Sequence, residues 1–218
     1  MPAVTDTLQI LEIYRSLQGE GLRAGRPCTL VRLAGCNLRC TWCDTPQAWS
    51  GGRSMPGADV LARVADLATP LVLVTGGEPL MQPAAPALLA ALCDAGHETL
   101  LETNGSRDIS VVDARVARVV DFKCPSSGHA DANRWQNVAA LTARDEVKFV
   151  VADRADFDWA VAAVREHGLL RRCPVTVQPA AGRCRPVELA GWLLACGLDL
   201  RLGLQLHKLL WPERTEGV

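Results

Sequence analysis

Short runs of apolar, β-prone residues recur along the chain, at 8–14, 29–33, 71–75, 99–102, 118–122, 147–151, 175–178 and 200–204. Several are unbroken hydrophobic strings, the pattern of strands covered on both faces of a parallel sheet. Between them, 58–68, 84–95, 157–167 and 187–196 carry apolar residues at helical spacing with much alanine, which predicts amphipathic helices. This alternation predicts an α/β fold with a parallel sheet and crossover helices. No fixed-period repeat, low-complexity segment or long linker breaks the pattern, so residues 1–218 read as a single domain.

A closed eightfold βα barrel typically takes about 250 residues. With 218 residues, this chain predicts an incomplete, partial βα barrel. Functional groups in such folds gather at the carboxyl ends of the strands. Here the predicted strands are followed by Gly35-Cys36, Thr75-Gly76-Gly77-Glu78, Glu102-Thr103-Asn104-Gly105, Lys123-Cys124-Pro125-Ser126, Gln178-Pro179 and Gln205-Leu206-His207-Lys208. Polar and glycine-rich chemistry is thus segregated to one end of the sheet, which a purely structural protein has no reason to do.

Charge and composition narrow the function classes. A formal net charge of −1 argues against a protein that tracks nucleic acid or an anionic membrane by bulk electrostatics. No apolar stretch approaches the roughly 18 residues of a membrane span. Residues 1–14 lack the basic and apolar regions of an export signal, which predicts a cytoplasmic protein. The 9 cysteines are an odd count without a secretion signal, so a disulfide framework is not expected. Cys28, Cys93, Cys124, Cys173, Cys184 and Cys196 are scattered and read as small buried hydrophobes.

Cys36, Cys40 and Cys43 are different, because a C-x3-C-x2-C run in a loop brings three thiolates to one small object. A closed structural zinc site needs a fourth ligand from elsewhere. An iron–sulfur cube held by three thiolates instead keeps one iron free for a ligand. The spacing, with Trp42 in the aromatic place before the last cysteine, resembles the radical S-adenosylmethionine (SAM) superfamily. The strand end Thr75-Gly76-Gly77-Glu78-Pro79 strengthens the likeness, since glycines let backbone approach a ligand without a Cβ in the way. The resemblance implies a [4Fe-4S] cluster, SAM as co-substrate, and hydrogen abstraction by a 5′-deoxyadenosyl radical.

Further segments carry a narrower likeness: Ser16-Leu17-Gln18-Gly19-Glu20-Gly21, Arg32, Asp44-Thr45, Leu101-Glu102-Thr103-Asn104-Gly105, Asp121 through Gly128, and Gln205-Leu206-His207-Lys208. Over residues 16–208 the chain resembles the 7-carboxy-7-deazaguanine synthases, which rearrange 6-carboxy-5,6,7,8-tetrahydropterin with release of ammonia on the route to queuosine and other 7-deazapurines. The resemblance implies that Leu17, Gln18, Gly19, Glu20, Arg32, Thr75 and His207 bind substrate, with Arg32 suited to a bidentate pair with its carboxylate. It implies Mg²⁺ on the substrate with Thr45 as protein ligand, or Asp44 in its place. It also implies SAM contacts from Trp42, Cys43, Asp44, Gly77, Glu78, Glu102, Cys124, Pro125, Ser126 and Gln178.

Lys123 and Lys148 read equally as ligand contacts or surface charge, and in the tail Glu213, the carboxylate of Val218, or neither of them approaches substrate. The 6 tryptophans point only to core and interface packing. A homodimer and a reductant protein such as flavodoxin or ferredoxin follow from the resemblance as well. Two other readings compete. A glycyl-radical-enzyme activase would share the cluster but need no small-molecule pocket, and a zinc-stabilised interaction module would leave the polar strand ends incidental.

Overall fold

The computed structural model describes residues 6–214 and 217. Strands β1 (Thr7–Leu17), β2 (Pro27–Leu33), β3 (Arg53–Pro56), β4 (Leu71–Gly76), β5 (Glu98–Thr103), β6 (Ala117–Lys123), β7 (Glu146–Val151), β8 (Val175–Pro179) and β9 (Arg201–Leu202) form one sheet in the order β3-β1-β2-β4-β5-β6-β7-β8-β9. Helices α1 (Gly57–Leu67), α2 (Ala85–Asp94), α3 (Arg154–Glu166), α4 (Pro186–Ala195) and α5 (Leu206–Leu210) complete the fold. From β2 to β9 every neighbouring pair is parallel, which gives the open partial barrel that the alternation predicts.

The first strand departs from that prediction. β1 runs antiparallel to both β2 and β3; for β2, the link 18–26 is too short for the crossover of a dozen or more residues that a parallel pair requires. β3 and α5 carried no pattern strong enough to predict them, and the run at 200–204 shrinks to Arg201–Leu202. The β5–β6 and β6–β7 links contain only 3₁₀ turns, among them Ile109–Val111 and Trp135–Ala140.

Alternation within the strands sorts the side chains. Val31, Val72, Val74 and Leu101 point outward under α1 and α2, while Phe122, Phe149, Val147 and Val177 pack beneath α3 and α4. Leu30, Leu73, Leu100 and Val119 fill the inner face. Fully burying each such side chain contributes about 1.5–3 kcal/mol. Two residues further along the same inner rows, apolar gives way to polar: Arg32, Thr75, Glu102 and Asp121, joined by Lys148 and Gln178 on β7 and β8. Among the tryptophans, Trp135 stacks on His167 at 3.9 Å between ring centres, and Trp159 and Trp192 pack on the second half of the core.

A bulge in β1 serves this inner face. Ile10 pairs with Leu33 but Glu12 pairs with Arg32, a shift of one residue that turns Glu12 and Tyr14 to the side where Arg32 lies. No helix among the described residues is long and apolar enough to cross a membrane.

Candidate active site

The polar strand ends surround a cavity of ≈ 480 Å³. One side is the cysteine loop. Gly35 N–H donates to Ala48 O at 2.9 Å and Cys36 N–H to Trp49 O at 3.2 Å, so the loop closes on the 3₁₀ turn Pro46–Trp49. The glycine pair locks its start: Gly77 N–H donates to Leu33 O at 3.0 Å and Glu78 N–H to Gly35 O at 2.8 Å. A Cβ on Gly76 would lie 2.0 Å from Leu33 O, and one on Gly77 2.1 Å from Gly35 O. The glycines therefore allow one loop to lie against the other, in addition to lining the cavity.

Cys36, Cys40 and Cys43 are half-buried and all line the cavity. Burial pushes the Cys40 thiol up, Lys123 opposes this, and Asp121 and the other two cysteines add to it. Among the described residues no three His, Cys, Asp or Glu side chains stand grouped about a single point where one metal ion would sit. Two of the tryptophans frame the loop, with the Arg39 guanidinium 5.0 Å above Trp49 and that of Arg183 5.7 Å above Trp42.

Across the cavity stand the charged groups. Arg32 Nε donates to Glu12 at 2.7 Å and Nη2 to the Tyr14 hydroxyl at 3.2 Å. Those bonds use the Nε side of the guanidinium and leave its Nη1–Nη2 end as the edge for a ligand. Lys148, buried on β7, lies 2.8 Å from Glu20 and in direct contact with Glu102. Burial works against the Glu20 carboxylate, but Lys148 and Gln205 hold it below the usual range. Burial raises the Glu102 carboxyl above that range even with Lys148 beside it. Lys123 pairs with Asp121 at 3.0 Å. Two buried acceptors, Asp121 Oδ1 and Gln178 Oε1, have no partner among the described residues.

Helix α5 closes one side. Leu206 N–H donates to Gly19 O at 3.0 Å, and a Cβ on Gly19 would lie 2.9 Å from His207 Nδ1. Burial lowers the His207 imidazole, favouring its neutral form, against the pull of Glu20 and Asp44. Gln205 Nε2 reaches Glu20 at 2.8 Å and Asp44 at 3.0 Å. Asp44 is held at about 2 although burial opposes it, by the Lys208 charge and by bonds from Gln205 and Thr45.

The cavity wall thus collects Leu17, Gln18, Gly19, Glu20, Arg32, Thr75 and His207, together with Trp42, Asp44, Thr45, Gly77, Glu102 and Gln178. Other residues expected there are absent from it. Glu78 is fully buried, and its carboxylate accepts from the backbone N–H of Leu80 and Asn104 and from the Thr103 hydroxyl, so it braces two strand ends. The Cys124 side chain is buried in the core, and Pro125 and Ser126 form a 3₁₀ turn tied to Asp156 outside the lining. In the tail Pro212 and Arg214 line the cavity, Glu213 does not, and Val218 lies outside the described residues.

Lys148 and Lys123 are wall residues, as are Asp121, Asn104, Trp49 and Gln205, none of which has a definite role in the sequence motifs. The signal available for the two lysines was alternation: each is polar between apolar outward neighbours near a strand end.

The family model of the Radical SAM superfamily matches residues 30–169. A curated relative from Koribacter versatilis, named 7-carboxy-7-deazaguanine synthase, is 44% identical across 97% of this chain and 100% of its own. One of the same name from Chlorobaculum tepidum is 44% identical across 97% of both chains. The crystal structure of QueE from Escherichia coli superposes with a TM-score of 0.77 at 22% identity, over 91% of this chain and 94% of that one. The chain belongs to the radical SAM superfamily and, within it, to the 7-carboxy-7-deazaguanine synthase family.

Proposed function

We propose that this protein converts 6-carboxy-5,6,7,8-tetrahydropterin to 7-carboxy-7-deazaguanine with release of ammonia. The observation that carries this reading is that one cavity wall holds both the three-cysteine loop and a set fitted to a carboxylated pterin: Arg32, Gln18, Glu20 and His207. An activase acting on a partner's backbone glycine has no use for that set.

The residues present fit the group that the superfamily carries. Cys36, Cys40 and Cys43 supply three thiols to one end of the cavity, as a [4Fe-4S] cluster with an open iron requires, and Asp121 Oδ1 and Gln178 Oε1 offer acceptors for ligand N–H or O–H groups. When bound, the cluster and SAM supply the radical that removes hydrogen from substrate. Trp42, Asp44, Gly77, Glu102 and Gln178 would hold SAM, the glycine through its backbone.

This chain's own side chains bind and orient the pterin. Arg32 presents its Nη1–Nη2 end to the substrate carboxylate, a charge-assisted pair with defined direction. Glu20 and Gln18 accept and donate along the amino-pyrimidine edge, the neutral His207 imidazole closes over them, and Thr75 donates its hydroxyl. Thr45 would bind Mg²⁺ through its hydroxyl, with substrate oxygens and water completing the shell. The reading includes a reductant protein such as flavodoxin or ferredoxin, a homodimer, and a cytoplasmic setting.

The test is an anaerobic incubation of reconstituted protein with SAM, reductant, Mg²⁺ and carboxytetrahydropterin. The reading expects a deazapurine chromophore and one ammonia per product. Cleavage of SAM with the pterin recovered unchanged would overturn the substrate assignment.

A further inference from the structure

Lys148 is a buried cation shared by carboxylates from the β1–β2 link, β5 and β6. Its side chain is 6% exposed, and its ammonium lies 2.8 Å from Glu20 Oε2, in direct contact with Glu102 Oε1, and 3.5 Å from Asp121 Oδ2. Of the ammonium's three donors two are hydrogen-bonded, to Glu20 and Glu102, and Asp121 lies within ion-pair distance. The two glutamates keep their other oxygens turned elsewhere: Glu20 Oε1 accepts from Gln205 at 2.8 Å, and Glu102 Oε2 from Thr75 at 3.3 Å. Glu20 stands with the residues assigned to the pterin and Glu102 with those assigned to SAM.

We propose that Lys148 is a positioning residue whose charge keeps Glu20 and Glu102 both ionised and fixed in place, so that the cavity offers two acceptor-only carboxylates to the N–H groups of its ligands. The inference rests on the functional reading above. A carboxylate accepts but does not donate, so it suits an N–H edge; a protonated carboxyl sets an O–H against that edge. Without the Lys148 charge, Glu20 and Glu102 would be half-buried like charges near one another, and such groups share protons rather than both ionise.

The other charges around this cluster do not replace it. Lys123 on β6 is paired with Asp121. Arg32 on β2 is paired with Glu12. Behind Glu20 lie Asp44 from the cysteine loop and His207 and Lys208 on α5, of which Lys208 is paired with Asp44. Glu146, two residues before Lys148 on the same inner row, bonds Thr176 and the Leu22 N–H. Glu102 already sits above the usual carboxyl range through burial, with Lys148 the main force holding it down.

The experiment is anaerobic calorimetric titration of 6-carboxypterin, which keeps the substrate's carboxylate and amino-pyrimidine edge, into reconstituted wild type, Lys148→Met, Lys148→Gln and Lys148→Arg. Wild type and Lys148→Arg are expected to bind with a nearly flat profile between about pH 6.5 and 8.5, whatever their absolute affinities. In Lys148→Met and Lys148→Gln the affinity should fall at least about tenfold from the upper to the lower pH, the change that one added protonation event produces per pH unit. Weakening by the same factor at every pH, or none, would overturn the inference. So would loss of folding in both charge-removing variants with Lys148→Arg folded, which would put the charge in the fold and not in ligand presentation. A wild type that binds no pterin at any pH overturns the functional reading, and this inference with it.

Discussion

Arg32 shows how much of a single side chain's role comes from its neighbours. Its position next to the cysteine loop is plain in the sequence, but which edge of the guanidinium faces the cavity is set by Glu12 and Tyr14, which a bulge in β1 turns toward it. Lysine keeps the charge but lacks the planar fork that pairs with a substrate carboxylate through two parallel N–H bonds while Nε stays on Glu12. Arg32→Lys should therefore raise KM for the pterin at least about tenfold, the loss of one charge-assisted hydrogen bond of about 1.5–3 kcal/mol, with iron content unchanged. Steady-state kinetics with parallel iron analysis checks this. Gly77 is constrained more simply, by the Gly35 carbonyl 2.1 Å from where a Cβ would stand. Gly77→Ala should cost at least about 3 kcal/mol and lower Tm by about 6 °C or more in thermal melting of the apoprotein. The three cysteines were legible because their spacing is local, whereas the bracing role of the Glu78 side chain was not: beside the glycine pair it looks like a ligand contact, yet its carboxylate turns back to the Leu80 and Asn104 N–H groups.

At the scale of elements, the β5–β6 and β6–β7 links have to be held without a full helix. Arg118 at the start of β6 does this, bonding Asp145 through Nε and Nη2 and the carbonyls of Ile109 and Ala140 in the two links. Burial works against the Asp145 carboxylate, but Arg118 and the Thr142 and Arg118 N–H groups hold it below the usual range. Because the folded value is depressed, its stabilisation is complete above the unfolded value of about 3.9 and is lost as pH falls through the folded one. Asp145→Asn should therefore cost about 3–5 kcal/mol in urea unfolding at neutral pH, and the gap from wild type should narrow below about pH 4. A gap that stays constant into acid would show that the ionised pair is not its source. The long strands and helices were readable from periodicity. β3 and α5 were not, because β3 is held by pairing with β1 and α5 by Gly19, Glu20 and Asp44, contacts remote in sequence.

For the molecule as a whole, one rule of alternation builds both core and cavity. Inner rows that carry Leu30, Leu73, Leu100 and Val119 continue into Arg32, Thr75, Glu102 and Asp121, so the packed floor and the polar chamber are consecutive levels of the same strands. That organisation was visible as polar strand ends. The meaning of Lys148 was not, since it arises only when register sets it opposite Asp121 with Glu102 one strand beyond. The account stands or falls on the cysteine loop at the open end of that chamber. The direct measurement is iron and sulfide content, with SAM cleavage to methionine and 5′-deoxyadenosine, in anaerobically reconstituted wild type and Cys40→Ser. About four irons per chain and reductant-dependent cleavage are expected in wild type, with cleavage abolished in Cys40→Ser. Full iron content and undiminished cleavage in Cys40→Ser would contradict it.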